Sequence, residues 1–351
     1  MTEPRHRRVS ASLEQQVKES SEKKPIKEDI FSPPPGNTEL MISTGSTLLD
    51  LEISGLRIRG GGIPSGILVE IAGAPSSGKT VLLCEIAGNV QNKKGEVKFF
   101  DPESRLNEQF ASMFGFQVAD VDYSQPDTVP EVFKPIREWK PKNTKIINGI
   151  FADSLAALST DLELEDGDKM GMRRAKEFSQ ECRMTCRILT KNNLLMVCSN
   201  QLRDSQGTYG PTKITPGGNA IPFYASLRLM AKQSSKIPKK IKVGGKEISK
   251  IVGVKTDFEV SKSSVSFPYG VAPVYVIYSY GIDDIRGNLQ YIKDIMGDDK
   301  YWTGKASMDD SIADVEEGNK EEELRELVID TWLEIQEKFQ PKKPRTDKVR
   351  F

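Results

Sequence analysis

Short, nearly continuous apolar runs recur through the middle of the chain, separated by stretches with helical spacing. Ile67–Ala72, Val97–Phe100, Lys145–Ala152 and Leu194–Ser199 are such runs, and Val274–Tyr280 is a later one. Their length and their lack of regular polar alternation predict strands buried on both faces. Val81–Val90 has the spacing of a helix. From about Ser43 to Asp283 the two textures alternate, which predicts an α/β core with a doubly wound, mainly parallel sheet covered by helices.

The flanks read differently. Residues 1–38 are polar and charged, carry a short helical pattern near Leu13–Lys23, and end in Pro33-Pro34-Pro35-Gly36. Proline stops a helix and stiffens a linker, so this arm is either disordered or a segment that docks on a neighbouring subunit. Residues 284–340 are acidic and helix-rich and read as a small appended domain, and 341–351 as a basic tail. The expected division is therefore an arm (1–38), a core (39–283), a C-terminal domain (284–340) and a tail (341–351).

Charge sharpens this picture. The 351 residues carry no net charge, so nucleic-acid contact must come from local clusters. Lys232, Lys236, Lys239, Lys240, Lys242, Lys246, Lys250, Lys255 and Lys262 form one basic stretch. Within it, Gly244-Gly245 predicts a hairpin turn, and the Lys236–Lys250 hairpin is either a solvated surface element or a secondary DNA contact. The cysteines, Cys84, Cys182, Cys186 and Cys198, form no CxxC pair, and His6 is the only histidine. Zinc binding and histidine acid–base catalysis are thereby disfavoured, and buried free thiols are expected. No apolar run is long enough to span a bilayer and no signal peptide is apparent, so a cytoplasmic protein is expected.

Gly73-Ala74-Pro75-Ser76-Ser77-Gly78-Lys79-Thr80 matches GxxxxGK[ST] between an expected strand and an expected helix. Glycines there let backbone N–H groups curl around phosphate, and the helix N-terminus adds partial positive charge. Lys79 supplies a point charge to the β- and γ-phosphates of ATP, and Thr80 offers a hydroxyl to Mg²⁺. Asp153 ends the apolar run Ile146–Ala152, the pattern of a Walker B strand. Alone it would read as a turn aspartate; beside the phosphate loop it reads as the carboxylate that orients a metal-bound water. Glu103, just past Val97–Phe100, is either the group that orients the attacking water or a surface glutamate.

Further stretches are similar to the RecA-type homologous recombinases. They are Ser43-Thr44-Gly45-Ser46, Leu48-Leu49-Asp50, Gly62–Gly66, Ser124–Thr128, Asp153–Leu158, Asn200–Arg203, Gly217–Ala220 and Phe223–Arg228, and together with the phosphate loop they span residues 40–305. The resemblance implies that Glu103 is the catalytic glutamate and Phe110 the aromatic that stacks on adenine. It places Asn107 where the family has an acidic residue near the base. Gln201 falls at the γ-phosphate sensor, and Phe223 at an interface aromatic. Lys262 matches one of two lysines that reach the neighbouring subunit's ATP; the second position reads Ser264.

The same resemblance implies two DNA-binding loops. The first spans Leu162–Met172, with Met170 and Gly171 matching. Arg183 beyond it matches a basic position, whereas Arg173 and Arg174 rest on charge alone, and all three also suit a solvated helix face. The second loop, Asp204–Pro216, lies between Arg203 and Gly217-Gly218-Asn219 and carries Tyr209, an aromatic able to stack on a base. The implied activity is ATP-dependent assembly of a head-to-tail filament on single-stranded DNA, followed by strand exchange with homologous duplex. An ATP-driven motor on the same fold, or a mediator with little turnover, are the other readings, and Ser264 keeps the second in play.

Overall fold

The computed structural model describes residues 37–159, 171–204, 213–214 and 220–340. These divide into two compact units, one ending at Gly287 and one beginning at Asn288.

In the larger unit, β1 (Asn37–Ile42) pairs antiparallel with β2 (Ile63–Ser65) around α1 (Thr47–Ser54). Next come β3 (Leu68–Gly73), α2 (Lys79–Asn92), β4 (Val97–Phe100), α3 (Glu108–Ser112), β5 (Asp122–Ser124), α4 (Val129–Glu138) and β6 (Asn148–Ala152). After these lie α5 (Gly171–Lys191), β7 (Leu194–Gln201), the short β8 (Arg203–Asp204) and β9 (Lys213–Ile214), and α6 (Ala220–Tyr224). The long β10 (Leu227–Val243) and β11 (Lys246–Ser263), then β12 (Val271–Ile277) and β13 (Gly281–Ile282), complete the sheet.

The nine-stranded sheet has the order β13-β12-β11-β10-β3-β7-β6-β4-β5. From β10 to β5 every pairing is parallel, and from β10 to β13 every pairing is antiparallel. This is the mainly parallel α/β sheet expected from the apolar runs. Strand β3 lies between β7 and β10, while the next strand in sequence, β4, lies beyond β6. Such a reversal opens a crevice at the C-terminal strand ends, where ligands bind in open α/β sheets.

Details depart from the sequence expectation for local reasons. Strand β6 begins at Asn148 and not at Lys145, because Asn148 Nδ2 folds back to Asn143 O at 2.8 Å. Strand β7 runs on to Gln201, whose backbone aligns with Gly73. Strand β12 ends at Ile277 and not at Tyr280, because Ser279 at φ 65° turns the chain into β13.

Helix packing follows the apolar stripes. Phe178, Cys182 and Leu189 of α5 and Val129, Val132, Phe133 and Ile136 of α4 are buried in one cluster beneath β6 and β7. Phe133 meets Phe178 edge to face, with ring centroids 6.2 Å apart. Cys84, Cys182 and Cys198 are buried free thiols, and burial raises the pKa of each. These three behave as small apolar groups, whereas Cys186, expected to be buried as well, is only half-buried.

Helix α7 (Asp284–Met296) carries the boundary between the two units. In the smaller unit, α8 (Met308–Glu317) and α9 (Glu321–Phe339) bury Val315, Leu324, Val328, Ile329 and Trp332. Much of the acidic run sits in first turns: Asp309 and Asp310 open α8, and Glu321, Glu322 and Glu323 open α9. Negative charge there complements the helix dipole, so these acids serve the fold.

Candidate functional site

The phosphate loop joins β3 to α2. Gly78, the residue before α2, sits at φ 83°, in the left-handed region that favours glycine, and offers no side-chain cap. The first N–H groups of α2 are thus left for a ligand. Gly73 has no room for a side chain: a Cβ there would lie 2.6 Å from Ala231 Cβ and 3.0 Å from Ser77 Oγ. Ser77 Oγ donates to Ala74 O at 2.8 Å, bracing the loop.

Lys79 is buried, and its ammonium donates to Ala74 O at 2.7 Å. Burial lowers its pKa, while the carboxylates of Asp153 and Glu103 pull it back up. One recorded bond leaves an ammonium two further donors. A buried cation aimed along the loop, next to an uncapped helix start, fits a nucleotide polyphosphate.

The parallel register brings the other groups to the same edge. Gly73 aligns with Gln201, Ala152 with Cys198, and Phe100 with Ala152, so the residues just past these positions surround the loop. Thr80 Oγ1 donates to Asp153 Oδ2 at 2.6 Å, and Ser199 Oγ donates to Asp153 Oδ1. Burial raises the Asp153 pKa, and these two hydroxyls and Lys79 oppose that rise. A hydroxyl and a carboxylate in contact, beside a phosphate cradle, are the oxygen donors Mg²⁺ takes in nucleotide sites.

Glu103 is held from three sides. Ser154 Oγ donates to its Oε1 at 2.6 Å and Gln201 Nε2 to the same oxygen at 3.3 Å. Arg105 Nη1 lies 2.8 Å from Oε2. Glu103 therefore joins the exit of β6, the end of β7 and its own loop at one point. Asp101 shapes that loop, accepting from Leu106 N and Tyr123 OH, both at 2.8 Å.

Other expected residues fall as follows. Phe110 is partly exposed and packs edge-on against Phe114 at 4.6 Å. Asn107 caps α3, its Oδ1 accepting from Phe110 N at 3.0 Å; asparagine and aspartate cap helices equally well. Lys262 pairs in register with Arg228 and donates to the carbonyls of Pro222 and Phe223 at 2.9 and 2.7 Å. Arg228 aligns with Glu70, three residues before Gly73, which sets the Lys262 backbone about 10 Å back along the sheet from the phosphate loop. Burial lowers the Lys262 pKa, and Arg228 adds to the effect. Phe223 is 72% exposed beside it, and Ser264 is exposed.

Gly171 is the first residue of α5, and Arg183 is exposed on that helix. Arg174 donates through Nη2 to Ala156 O, so part of its guanidinium serves the exit of β6. Met170, Tyr209, Gly217, Gly218 and Asn219 lie outside the described residues, as do the side chains of Arg173 and Arg203, the arm to residue 36 and the tail from 341. The ends of the second loop are described: β8 and β9 pair antiparallel, Arg203 with Ile214 and Asp204 with Lys213.

The reading from sequence missed four members of this site. Ser199 lies inside an apolar run, Ser154 was noted only as part of a motif, and Asp101 and Arg105 flank Glu103 without a pattern of their own. A hydroxyl at the C-terminal end of a buried strand, near two carboxylates, was the available signal for Ser199. Among the described residues no helix is long and apolar enough to cross a membrane.

Comparison with known proteins agrees with this geometry. The model of the RecA N-terminal domain matches residues 34–283. RecA of Thermus thermophilus is 36% identical over 248 residues, 70% of this chain and 69% of the relative. RecA of Phytoplasma mali (strain AT) is 34% identical over 279 residues, 78% of each chain. RecA of Clostridium botulinum (strain Eklund 17B / Type B) is 36% identical over 251 residues, 71% of this chain and 66% of the relative. With a phosphate loop, a hydroxyl-bound strand-end aspartate and a glutamate tied to the root of the second loop, all inside the matched segment, this chain belongs to the RecA family.

Proposed function

We propose that this protein is an ATP-dependent recombinase of DNA repair: it assembles on single-stranded DNA and exchanges it with homologous duplex. The observation that carries the reading is the Gln201–Glu103 contact at 3.3 Å. It ties the carboxylate suited to hydrolysis to the last residue of β7, three residues before the described start of the second loop ends at Asp204. A change at the phosphate is thereby handed to a segment that leads away from it.

Each residue has a role in this reading. Backbone N–H groups of Gly73–Thr80 and the Lys79 ammonium bind the ATP phosphates, and Phe110 lies against the base. Thr80 and Asp153 would hold Mg²⁺, which would offset the negative charge of the phosphates. Glu103 orients the attacking water and accepts its proton. Ser154, Gln201 and Arg105 position that carboxylate.

Lys262 and Phe223 lie together, set back from their own phosphate loop, and serve a neighbouring copy. A contact between two different surfaces repeats head to tail and builds a filament. Single-stranded DNA lies against the two loops, with Met170, Gly171, Arg173, Arg174, Arg183, Arg203, Tyr209 and Gly217–Asn219 as its contacts. Residues 39–283 form the working core, followed by a C-terminal domain to 340 and a basic tail. The setting is cytoplasmic, where free thiols persist.

A strand-exchange assay with homologous and non-homologous DNA, with ATP present or omitted, tests the reading. Exchange is expected only with homologous duplex and ATP. Exchange by Lys79→Ala, or none by the unaltered protein, would remove it.

A further inference from the structure

Strand β7 ends in three consecutive polar residues. Leu194–Cys198 are apolar and buried, and Ser199, Asn200 and Gln201 follow. Successive side chains of a strand point to opposite faces, so Ser199 and Gln201 share one face and Asn200 takes the other. Each meets a different carboxylate. Ser199 Oγ donates to Asp153 Oδ1, Asn200 Nδ2 to Glu70 Oε1 at 3.0 Å, and Gln201 Nε2 to Glu103 Oε1 at 3.3 Å. The stretch that resembles the recombinases, Asn200–Arg203, begins one residue later, so the resemblance gives Ser199 no task.

The burial of that hydroxyl asks for a reason. Ser199 has no exposed surface and pairs with Ile71 of β3, and the residue before it pairs with Ala152 of β6. A hydroxyl enclosed between apolar strands costs stability unless it is bonded, and valine suits such a strand better. The partner here is a carboxylate, which makes a stronger hydrogen bond than a neutral acceptor. Asp153 is thereby held from two sides. Its Oδ1 accepts from Ser199 on β7, and its Oδ2 accepts from Thr80 Oγ1 on α2 at 2.6 Å. Loss of the Ser199 hydroxyl would release Oδ1 and let the carboxylate turn about its remaining bond to Thr80.

Thr80 and Asp153 are the proposed Mg²⁺ donors. Mg²⁺ demands close to octahedral geometry at short range, so its affinity depends on how its oxygen ligands are aligned. Groups that bond to the ligands from behind set that alignment. We infer that Ser199 is a positioning residue of the metal site: through Oδ1 it fixes the Asp153 carboxylate, and so sets the Mg²⁺ concentration at which the protein takes up ATP. The inference rests on the proposed binding of ATP and Mg²⁺ and needs neither DNA nor turnover. A hydroxyl that served packing alone would change stability and leave the metal dependence as it was.

The test uses the full-length protein with Ser199→Ala, Ser199→Val and Ser199→Thr variants. Threonine and valine share a shape and differ in the hydroxyl. Binding of a fluorescent, non-hydrolysable ATP analogue is followed across a Mg²⁺ series and again in EDTA. In Ser199→Ala and Ser199→Val the Mg²⁺ concentration for half-maximal binding should rise by about tenfold or more. Binding in EDTA, which draws on the phosphate loop and Lys79, should change much less. Ser199→Thr should restore the Mg²⁺ response to within a few-fold of the original. An unshifted Mg²⁺ midpoint in the alanine and valine variants would overturn the inference, and so would a threonine variant as weak as the valine one. Equal loss of binding in Mg²⁺ and in EDTA would mark a packing defect and overturn it too. Should one apolar variant fail to fold, the other, set against threonine, decides. An unaltered protein that binds the analogue with Mg²⁺ but exchanges no strands would remove the proposed recombinase and leave this inference standing. One whose analogue binding ignores Mg²⁺ would overturn both.

Discussion

Lysine does two different jobs in this molecule. At the phosphate loop Lys79 is buried, held by one carbonyl and depressed in pKa by loss of water. Along the β10–β11 ribbon, Lys242, Lys246 and Lys250 stand in solvent with no carboxylate partner among the described residues. The first environment positions a single cation against one group at high local field. The second spreads charge along about 20 Å of backbone, where salt screens it and no single residue dominates. The carboxylates follow the same contrast. Asp153 and Glu103 have their oxygens occupied by Thr80, Ser199, Ser154, Gln201 and Arg105, whereas Glu247 on the ribbon has one exposed ion pair. A preorganised site should be sensitive to one substitution and the ribbon only to several.

The sharpest way to break that contrast is Lys79→Ala. Removing the buried cation of the phosphate loop should lower ATP turnover by about 100-fold or more. A steady-state phosphate-release assay checks it, and a loss below about tenfold would mean that the buried position is not special. Next comes Glu103→Gln, which keeps the shape but removes the base. Turnover should fall by about 10²–10⁴-fold, with nucleotide affinity, followed by a fluorescent ATP analogue, within a few-fold of the original. Unaltered turnover would take Glu103 out of the reaction.

A third prediction concerns a half-buried carboxylate on the same helix as Lys79. Glu85 accepts from Ile282 N at 2.9 Å, and burial raises its pKa to about 7. Below about pH 4.5 the group is protonated in both the folded and the unfolded chain. Between there and pH 7 the folded chain holds a proton that the unfolded chain releases, so the stabilising effect of that proton is lost as pH rises. Glu85→Gln keeps the acceptor and removes the titration. It should raise stability at pH 8 relative to pH 5 by about 1–3 kcal/mol compared with the original chain. Urea unfolding midpoints at the two pH values check this, and parallel pH dependence in both proteins would refute it.

The smallest effect should come from Arg105→Ala. Its guanidinium is mostly exposed although it meets Glu103 at 2.8 Å, and exposed pairs contribute about 1 kcal/mol or less. Turnover should change by less than about fivefold. A loss as large as that of Glu103→Gln would move Arg105 from a positioning role to direct contact with the phosphates.

Much of the site was legible because its signals are local. The phosphate loop must combine glycine, lysine and threonine at fixed spacing, since backbone curl, charge and hydroxyl are needed within one turn. Gly244-Gly245 announced the hairpin because a two-residue turn with positive φ favours glycine. The partners of Asp153 and Glu103 were not legible in the same way. Ser199 and Thr80 are far apart in the chain, and so are Ser154, Gln201 and Arg105 taken together. Nothing in their immediate neighbours says they will meet. Arg174 looked free for DNA by charge, yet it donates to Ala156 O.

The sequence by itself determined that this chain carries a phosphate-loop motif on an α/β sheet and belongs with RecA-type proteins, because periodicity and motif spacing are properties of consecutive residues. Only the tertiary structure decided which side chains share the phosphate edge, that Lys262 stands back from its own loop, and that the lysine-rich hairpin extends clear of the sheet. Those outcomes depend on strand order and register, which arise when β3 is placed between β7 and β10 and which no single stretch of sequence encodes.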